Sequence, residues 1–310
     1  MSHTVKQVAE IWLRRCELDG LERSTLRSYR QHVSKYIEPA IGDVLVSDLT
    51  LPQVRDFADQ MLASGTKAMA KKVLGSLRSL LNEGQSRGLV STNVAREVKL
   101  RNSRRHEAER TIPTKAEIKL LLAHVPDRYR PLLTTALFSG MRSSELRGLS
   151  WEDVDLDKRV IRIRQRADRW GVLSSPKSRA GRRVIPMTPS VHQVLTDWKT
   201  HCPTGELNLV FPNGAGNVES HANLFHRMFK PLMIKCAVVD GAGKPRFSIH
   251  ALRHAAASLF IEQGWSPKKI QTILGHSSIN MTFDVYGHLF EDPEGDLERM
   301  AKVEHDLLAA

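Results

Sequence analysis

Residues 101–112 read Arg-Asn-Ser-Arg-Arg-His-Glu-Ala-Glu-Arg-Thr-Ile, a stretch rich in charge and without an apolar period. On either side of it, apolar residues recur with helical spacing. A segment that offers no apolar face cannot cross a core, so the chain must build two cores rather than one. Its 310 residues are enough for two bodies that each bury their own interior. Residues 101–112 are therefore the interdomain linker, with order restarting at Pro113 and Thr114.

The first body, residues 1–100, is predicted to be wholly helical. Thr4 caps a helix over 4–18 with Val5, Val8, Ile11 and Trp12 on one face. Ser24 is expected to cap a second helix, carrying Leu26, Tyr29, Val33 and Ile37 and ended by Pro39. Thr50 and Pro52 open a third, to about Ala63, and a fourth runs from about Lys67 to Glu83.

The second body, residues 113–290, mixes types. Thr114 caps a helix with Ile118, Leu121 and Leu122, and Arg130 to Ser139 is a strongly apolar helix. Val160-Ile161-Arg162-Ile163 and Arg182-Arg183-Val184-Ile185-Pro186 alternate as strands, with a turn over Ser174 to Gly181 that carries Lys177. Helices follow over about 190–200, 221–237 and 249–262, then from Ser266-Pro267 to Gly275, and over Asn280 to Tyr286. Residues 291–310 form an acidic tail helix with Leu297, Met300, Ala301, Leu307 and Leu308 on one side. The fold class is thus mainly α with a small antiparallel β-sheet.

Charge indicates the partner. The formal net charge is +12. Residues 1–105 hold 18 Lys and Arg against 11 Asp and Glu, and residues 106–286 hold 26 against 16, whereas the last 24 residues hold 2 against 7. Two basic bodies can grip a polyanion between them while the acidic tail is repelled by it. Arg27, Arg30, Lys67, Lys71 and Lys72 stud the polar faces of the first body and are candidate DNA contacts; Arg179, Arg182 and Arg183 near the turn are read as further phosphate contacts or surface charge. Cys16, Cys202 and Cys236 are odd in number and lack metal-ligand spacing, so they are expected to be reduced thiols. No apolar run is long enough for a membrane span and no signal pattern opens the chain, which places the protein in the cytoplasm, with the nucleoid.

The chemistry concentrates in His250-Ala251-Leu252-Arg253-His254, Leu274-Gly275-His276 and Tyr286. His250 and Arg253, at i and i+3, share one helix flank, and His276 lies just past a helix end. Arginine offers paired donors to phosphate oxygens, and histidine donates to them or moves a proton near neutrality. A phenol with pKa near 10 needs cationic neighbours or a base to become a nucleophile. His221 and His226 have no third ligand spaced to join them, and Gly241-Ala242-Gly243-Lys244 lacks the phosphate-loop pattern.

These residues, with Ser139-Gly140-Met141-Arg142-Ser143-Ser144-Glu145-Leu146 upstream, resemble the tyrosine recombinases, the phage-integrase family of site-specific DNA recombinases. The first motif matches the family's Thr-Gly-x-Arg-x-x-Glu-Leu with Ser139 in place of threonine; Pro176-Lys177-Ser178 resembles the setting of its β-hairpin lysine; Val210-Phe211-Pro212 resembles its Val-Phe-Pro segment. One departure is Val94, where the family often has proline.

By that resemblance Arg142, Lys177, His250, Arg253, His276 and Tyr286 are catalytic and Glu145 supports Arg142. A helical core DNA-binding domain precedes the catalytic domain, and the reaction passes through a 3′-phosphotyrosyl link and a four-way junction, without ATP, metal or other cofactor. The implied partners are double-stranded DNA, three further copies in a homo-tetramer joined through the tail, and accessory DNA-bending or directionality proteins. No domain precedes residue 1, so binding to separate arm-type sites is not expected. Three alternatives remain at this point: a type IB topoisomerase-like nicking and religating enzyme, a DNA-binding regulator without chemistry, and a histidine-rich metal hydrolase.

Overall fold

In the computed structural model, residues 2–100, 112–290 and 293–308 are described, and they fall into two units that divide between Glu107 and Ala108. The predicted linker therefore lies, up to Thr111, outside the described residues.

The first unit is helical: α1 (Val5–Leu18), α2 (Arg23–His32), α3 (Glu38–Ile41), α4 (Leu51–Ser64) and α5 (Lys67–Ser86). Thr4 and Thr50 each close a capping box, accepting from the backbone N–H of Gln7 and Gln53 while those glutamines accept in return. α5 is the central element and packs against α1, α2 and α4. Its Val73, Leu74, Leu77 and Leu80 are fully buried, as are Val5, Val8 and Val54 on the neighbouring helices. Inside this core His32 Nδ1 lies 2.7 Å from Ser76 Oγ and ties α2 to α5. Burial, and secondarily the charge of Lys72, lowers the His32 pKa, so the pair is neutral.

Two expectations for this unit are corrected. Ser24 is not the cap, because the helix already starts at Arg23 with Glu22 in the capping position. Nor does Pro39 end that helix. The turn from Val33 to Ile37 widens into a π-segment, and Pro39 follows in the first turn of α3. A proline in a regular helix loses one hydrogen bond and collides with the carbonyl four residues back, and a wide turn just before it shifts that carbonyl. The predicted 221–237 helix shows the same solution: α10 (His221–Asn223) leads into a π-segment at Leu224–Phe229, and Pro231 stands in the first turn of α11 (Lys230–Lys235).

The second unit contains α6 (Lys115–His124), α7 (Arg130–Ser139), α8 (Ser143–Arg147), α9 (Pro189–Lys199), the α10 and α11 pair, α12 (Ala251–Glu262), α13 (Pro267–Leu274), α14 (Asn280–Tyr286) and α15 (Pro293–Leu308). Three antiparallel strands lie in the order β1 (Val154–Asp155), β2 (Val160–Ile163) and, after a separate hairpin of β3 (Arg166–Ala167) and β4 (Leu173–Ser174), β5 (Arg183–Pro186). Ile161 pairs with Ile185, and both point inward. The β3–β4 hairpin was not foreseen, since its strands are two residues long and carry no alternation to read. α7 packs on α9 and α12, and α13 packs on both α12 and β5, so the sheet and three helices converge under one surface. Among the described residues no helix is long and apolar enough to cross a membrane.

Leu77→Ala would leave a cavity in the middle of the first core. We expect it to cost about 2–5 kcal/mol of that unit's stability, read as a lower midpoint in urea unfolding.

Candidate active site

The site begins where α7 stops. Gly140 adopts φ 62° and caps the helix, and a Cβ there would come within 2.6 Å of the Leu274 side chain. Ser139, in the place of the family's threonine, uses its hydroxyl twice: it donates to Thr135 O at 2.5 Å and accepts from Met141 N–H at 3.2 Å. The turn places Arg142 at the start of α8, where Glu145 accepts from both the backbone N–H and Nη1 of Arg142 at 2.9 Å.

Glu145 has a second guanidinium. Arg183 on β5 donates to its two carboxylate oxygens at 3.1 and 2.8 Å, and also to Ile273 O and Gly181 O. Burial alone would raise the Glu145 pKa, but the hydrogen bonds and charge of Arg183, then the charge of Arg142, outweigh it and hold the carboxyl below its ordinary range. Arg183 was expected at the surface or on phosphate, and that expectation is corrected: its side chain is 3% exposed. The alternation of β5 carried the signal. Arg183 shares a face with Ile185, and an arginine facing a core needs acceptors there, here supplied by an acid.

Arg142 Nη2 donates to Gly275 O at 3.0 Å, which ties the first motif to the end of α13. Gly275 caps that helix at φ 68°; an added Cβ would meet Ala180 O and Arg183 Nη1, each at 2.9 Å. His276 follows at once, 7% exposed, with Nδ1 2.9 Å from the buried Thr282 hydroxyl. Burial, then Arg253, Arg142 and Arg183, push its pKa down to about 3, so the ring is neutral at pH 7. It can donate a hydrogen bond to an anion but does not bring a charge of its own.

Arg253 is buried on α12. Nη1 donates to Gly140 O at 2.7 Å, while Nη2 is buried without a hydrogen-bond partner. Burial, then the nearby charge of Arg142, lowers its pKa to about 9, which leaves it cationic at neutral pH. His250 stands as the N-cap of α12 and is exposed. Tyr286, at the end of α14, is 1% exposed, and its hydroxyl lies 2.7 Å from His254 Nδ1.

Arg142, His250, Arg253, His276 and Tyr286 thus line one cleft of about 320 Å³, together with His254, Met281, Asp284 and Val285. His254 is the residue missed from the sequence. The i, i+4 spacing of His250 and His254 on one helix face could have found it, and their rings sit edge to face at 4.9 Å. Lys177 is exposed on the segment between β4 and β5 and is not among the cleft's lining residues; Arg179 and Arg182 are exposed beside it. In the first unit Arg27, Lys71 and Lys72 are exposed, Lys67 is half-buried, and Arg30 pairs with Glu17. Among the described residues no three His, Cys, Asp or Glu are grouped to hold a metal ion.

Two arginines, a neutral histidine and a buried phenol thus surround one cleft, a set of donors suited to an anion such as a phosphodiester. The chain belongs to the phage integrase family: residues 112–292 match the phage integrase family model, and residues 5–101 match that of the phage integrase central domain. Its relatives include a protein named tyrosine recombinase XerC-like from Caldanaerobacter subterraneus, 22% identical over 92% of this chain and 79% of that one. The ICEBs1 integrase of Bacillus subtilis is 23% identical over 93% of this chain and 79% of its own. The fold matches that of the Tn1549 transposon integrase in complex with a circular intermediate DNA, with a TM-score of 0.80, 22% identity and 98% and 99% of the two chains covered. It also matches lambda integrase bound as a tetramer to a Holliday junction, with a TM-score of 0.70, 20% identity and 89% and 78% covered.

The depressed His276 pKa has a stability consequence. Between about 3 and the ordinary 6.5 the unfolded chain takes up a proton that the folded chain refuses, so this contribution is complete above pH 6.5 and is lost as pH falls. From pH 6.5 to 5 the wild type should lose about 2 kcal/mol more than His276→Gln, measured by urea unfolding at both pH values.

Proposed function

We propose that this enzyme performs site-specific DNA recombination with Tyr286 as nucleophile. The observation that carries the reading is the phenol of Tyr286, buried in the cleft that Arg142, Arg253 and His276 line. Its oxygen attacks a backbone phosphorus, forming a 3′-phosphotyrosyl link and releasing a 5′-hydroxyl; a 5′-hydroxyl from a partner duplex reverses the step. Arg142 and Arg253 hold the non-bridging oxygens as cations and His276 as a neutral donor, each worth about 3 kcal/mol by comparison with oxyanion-hole donors. The unpartnered Nη2 of Arg253 supports that assignment. Exposed at the rim, His250 orients the phosphate. Lys177, carried to the scissile phosphate by the β4–β5 segment, protonates the departing 5′-oxygen and contributes roughly 10²–10⁴-fold. Glu145 fixes Arg142.

Residues 1–100 act as the core-binding domain, 113–290 as the catalytic domain, and 101–112 as the basic linker. Arg27, Arg30, Lys67, Lys71 and Lys72 contact backbone phosphates in the first, Arg179 and Arg182 in the second. The tail joins four copies on DNA. Leu297, Met300, Val303, Leu307 and Leu308 of α15 are all at least 61% exposed, an apolar stripe on an acidic helix that suits a protein surface rather than DNA.

Tyr286→Phe is expected to abolish covalent attachment to a nicked suicide substrate while half-site binding in a gel shift stays unchanged; trapping by this variant would move the nucleophile elsewhere. Leu297→Glu with Met300→Glu should remove the tetrameric complex on DNA and spare the single-copy complex, resolved by sizing on paired sites.

A further inference from the structure

The Tyr286 hydroxyl is held away from water, on a base. His254 Nδ1 is 2.7 Å from it, with the two rings 5.7 Å apart and inclined at 58°. We propose that His254 is a further catalytic residue: its Nδ1 takes the Tyr286 proton as the phenol oxygen attacks phosphorus, and gives it back when the strand is rejoined. The inference rests on the reading of Tyr286 as nucleophile.

The other histidines of the cleft are less suited to this task. His276 has its Nδ1 engaged with Thr282, and a ring with pKa near 3 holds a proton too weakly to draw one from a phenol. His250 stands one helical turn before His254, with its ring edge-to-face on it at 4.9 Å, and is exposed at the N-terminus of α12. A general base is recognised first by hydrogen-bond reach to the proton it removes, and the His254–Tyr286 distance meets that requirement before any DNA is bound. For Nδ1 to accept, the ring carries its proton on Nε2 and the tyrosine donates.

The step balances. The bond from Tyr286 Oη to phosphorus forms as the bond from phosphorus to the 5′-oxygen breaks; the phenol proton passes to His254, and Lys177 protonates the 5′-oxygen. On rejoining, the attacking 5′-hydroxyl returns its proton to Lys177, and the departing phenol oxygen recovers its own from the His254 imidazolium. The two proton-carrying groups thus serve opposite sides of the phosphorus, and neither substitutes for the other.

The test uses the full-length protein and single-turnover cleavage of a nicked suicide substrate. His254→Asn keeps a hydrogen-bonding group near the Nδ1 position but cannot accept a proton; His254→Ala removes both. Both should cleave at least about 100-fold more slowly at unchanged half-site affinity. The Asn variant should also flatten the acid limb that a histidine base predicts for the wild-type pH–rate profile. The other titratable groups facing this pair are His250 and Arg253 on α12, Arg142, His276 and Asp284, so the lost limb is compared with that of His250→Asn, which should keep it. A ring-fluorinated tyrosine at 286, a more acidic phenol, should raise the rate of His254→Asn by about tenfold or more relative to its effect in the otherwise unchanged protein. Cleavage by His254→Asn within about threefold of wild type would overturn the proposal. So would loss of rate in that variant that fluorination does not restore, which would mark His254 as packing only. Covalent trapping of Tyr286→Phe would instead overturn the nucleophile assignment.

Discussion

The carboxylate of Glu145 is the point on which the catalytic unit depends. It is 2% exposed and accepts from two guanidiniums, Arg142 on α8 and Arg183 on β5. Both guanidiniums are anchored by this one acid. A buried guanidinium without a partner loses its hydration for nothing in return, and removing one member of such a group typically costs about 3–5 kcal/mol. The arrangement also joins distant parts of the chain. Arg183 reaches Ile273 O and Arg142 reaches Gly275 O, so the last turn of α13 hangs from the same pair of cations.

Positive charge is thereby concentrated without being fully neutralised. One acid serves two arginines, and Arg253 adds a third positive charge whose nearest polar partner is a backbone carbonyl, Gly140 O. Burial first, and then this excess of charge, depresses the pKa of His276 and, through Arg142, that of Arg253 itself. An anion among these groups relieves the repulsion, whereas a neutral ligand of the same shape does not. The cleft thus carries a strain in charge, held in place by the hydrophobic packing of α7, α12 and α13 beneath it.

Much of this was legible in the sequence, where local chemistry leaves little choice. Thr4, Thr50, Thr114 and Ser266 announce their helices as caps, and Gly140 and Gly275 end theirs in the left-handed conformation. The motif residues were placed by the resemblance of their short motifs to those of the tyrosine recombinases. What escaped depended on contacts between residues far apart in the chain. Arg183 looked like one more surface charge until a carboxylate 38 residues away was folded against it. His254 took its meaning from a hydroxyl 32 residues further on. Pro39 looked like a stop because a widened turn leaves no mark in an apolar pattern.

The position of Tyr286 on α14 bears on how copies of this protein divide their labour. The phenol is packed against Ala257, Ile270 and Leu274 of its own chain, in the same unit as the arginines of the cleft. The Tyr286 phenol and the arginines of the cleft are therefore supplied by one and the same chain. On the reading of Tyr286 as nucleophile, a second molecule would serve to bring another duplex end within reach rather than to complete the cutting centre, and the number of copies would follow from the number of strands to be traded.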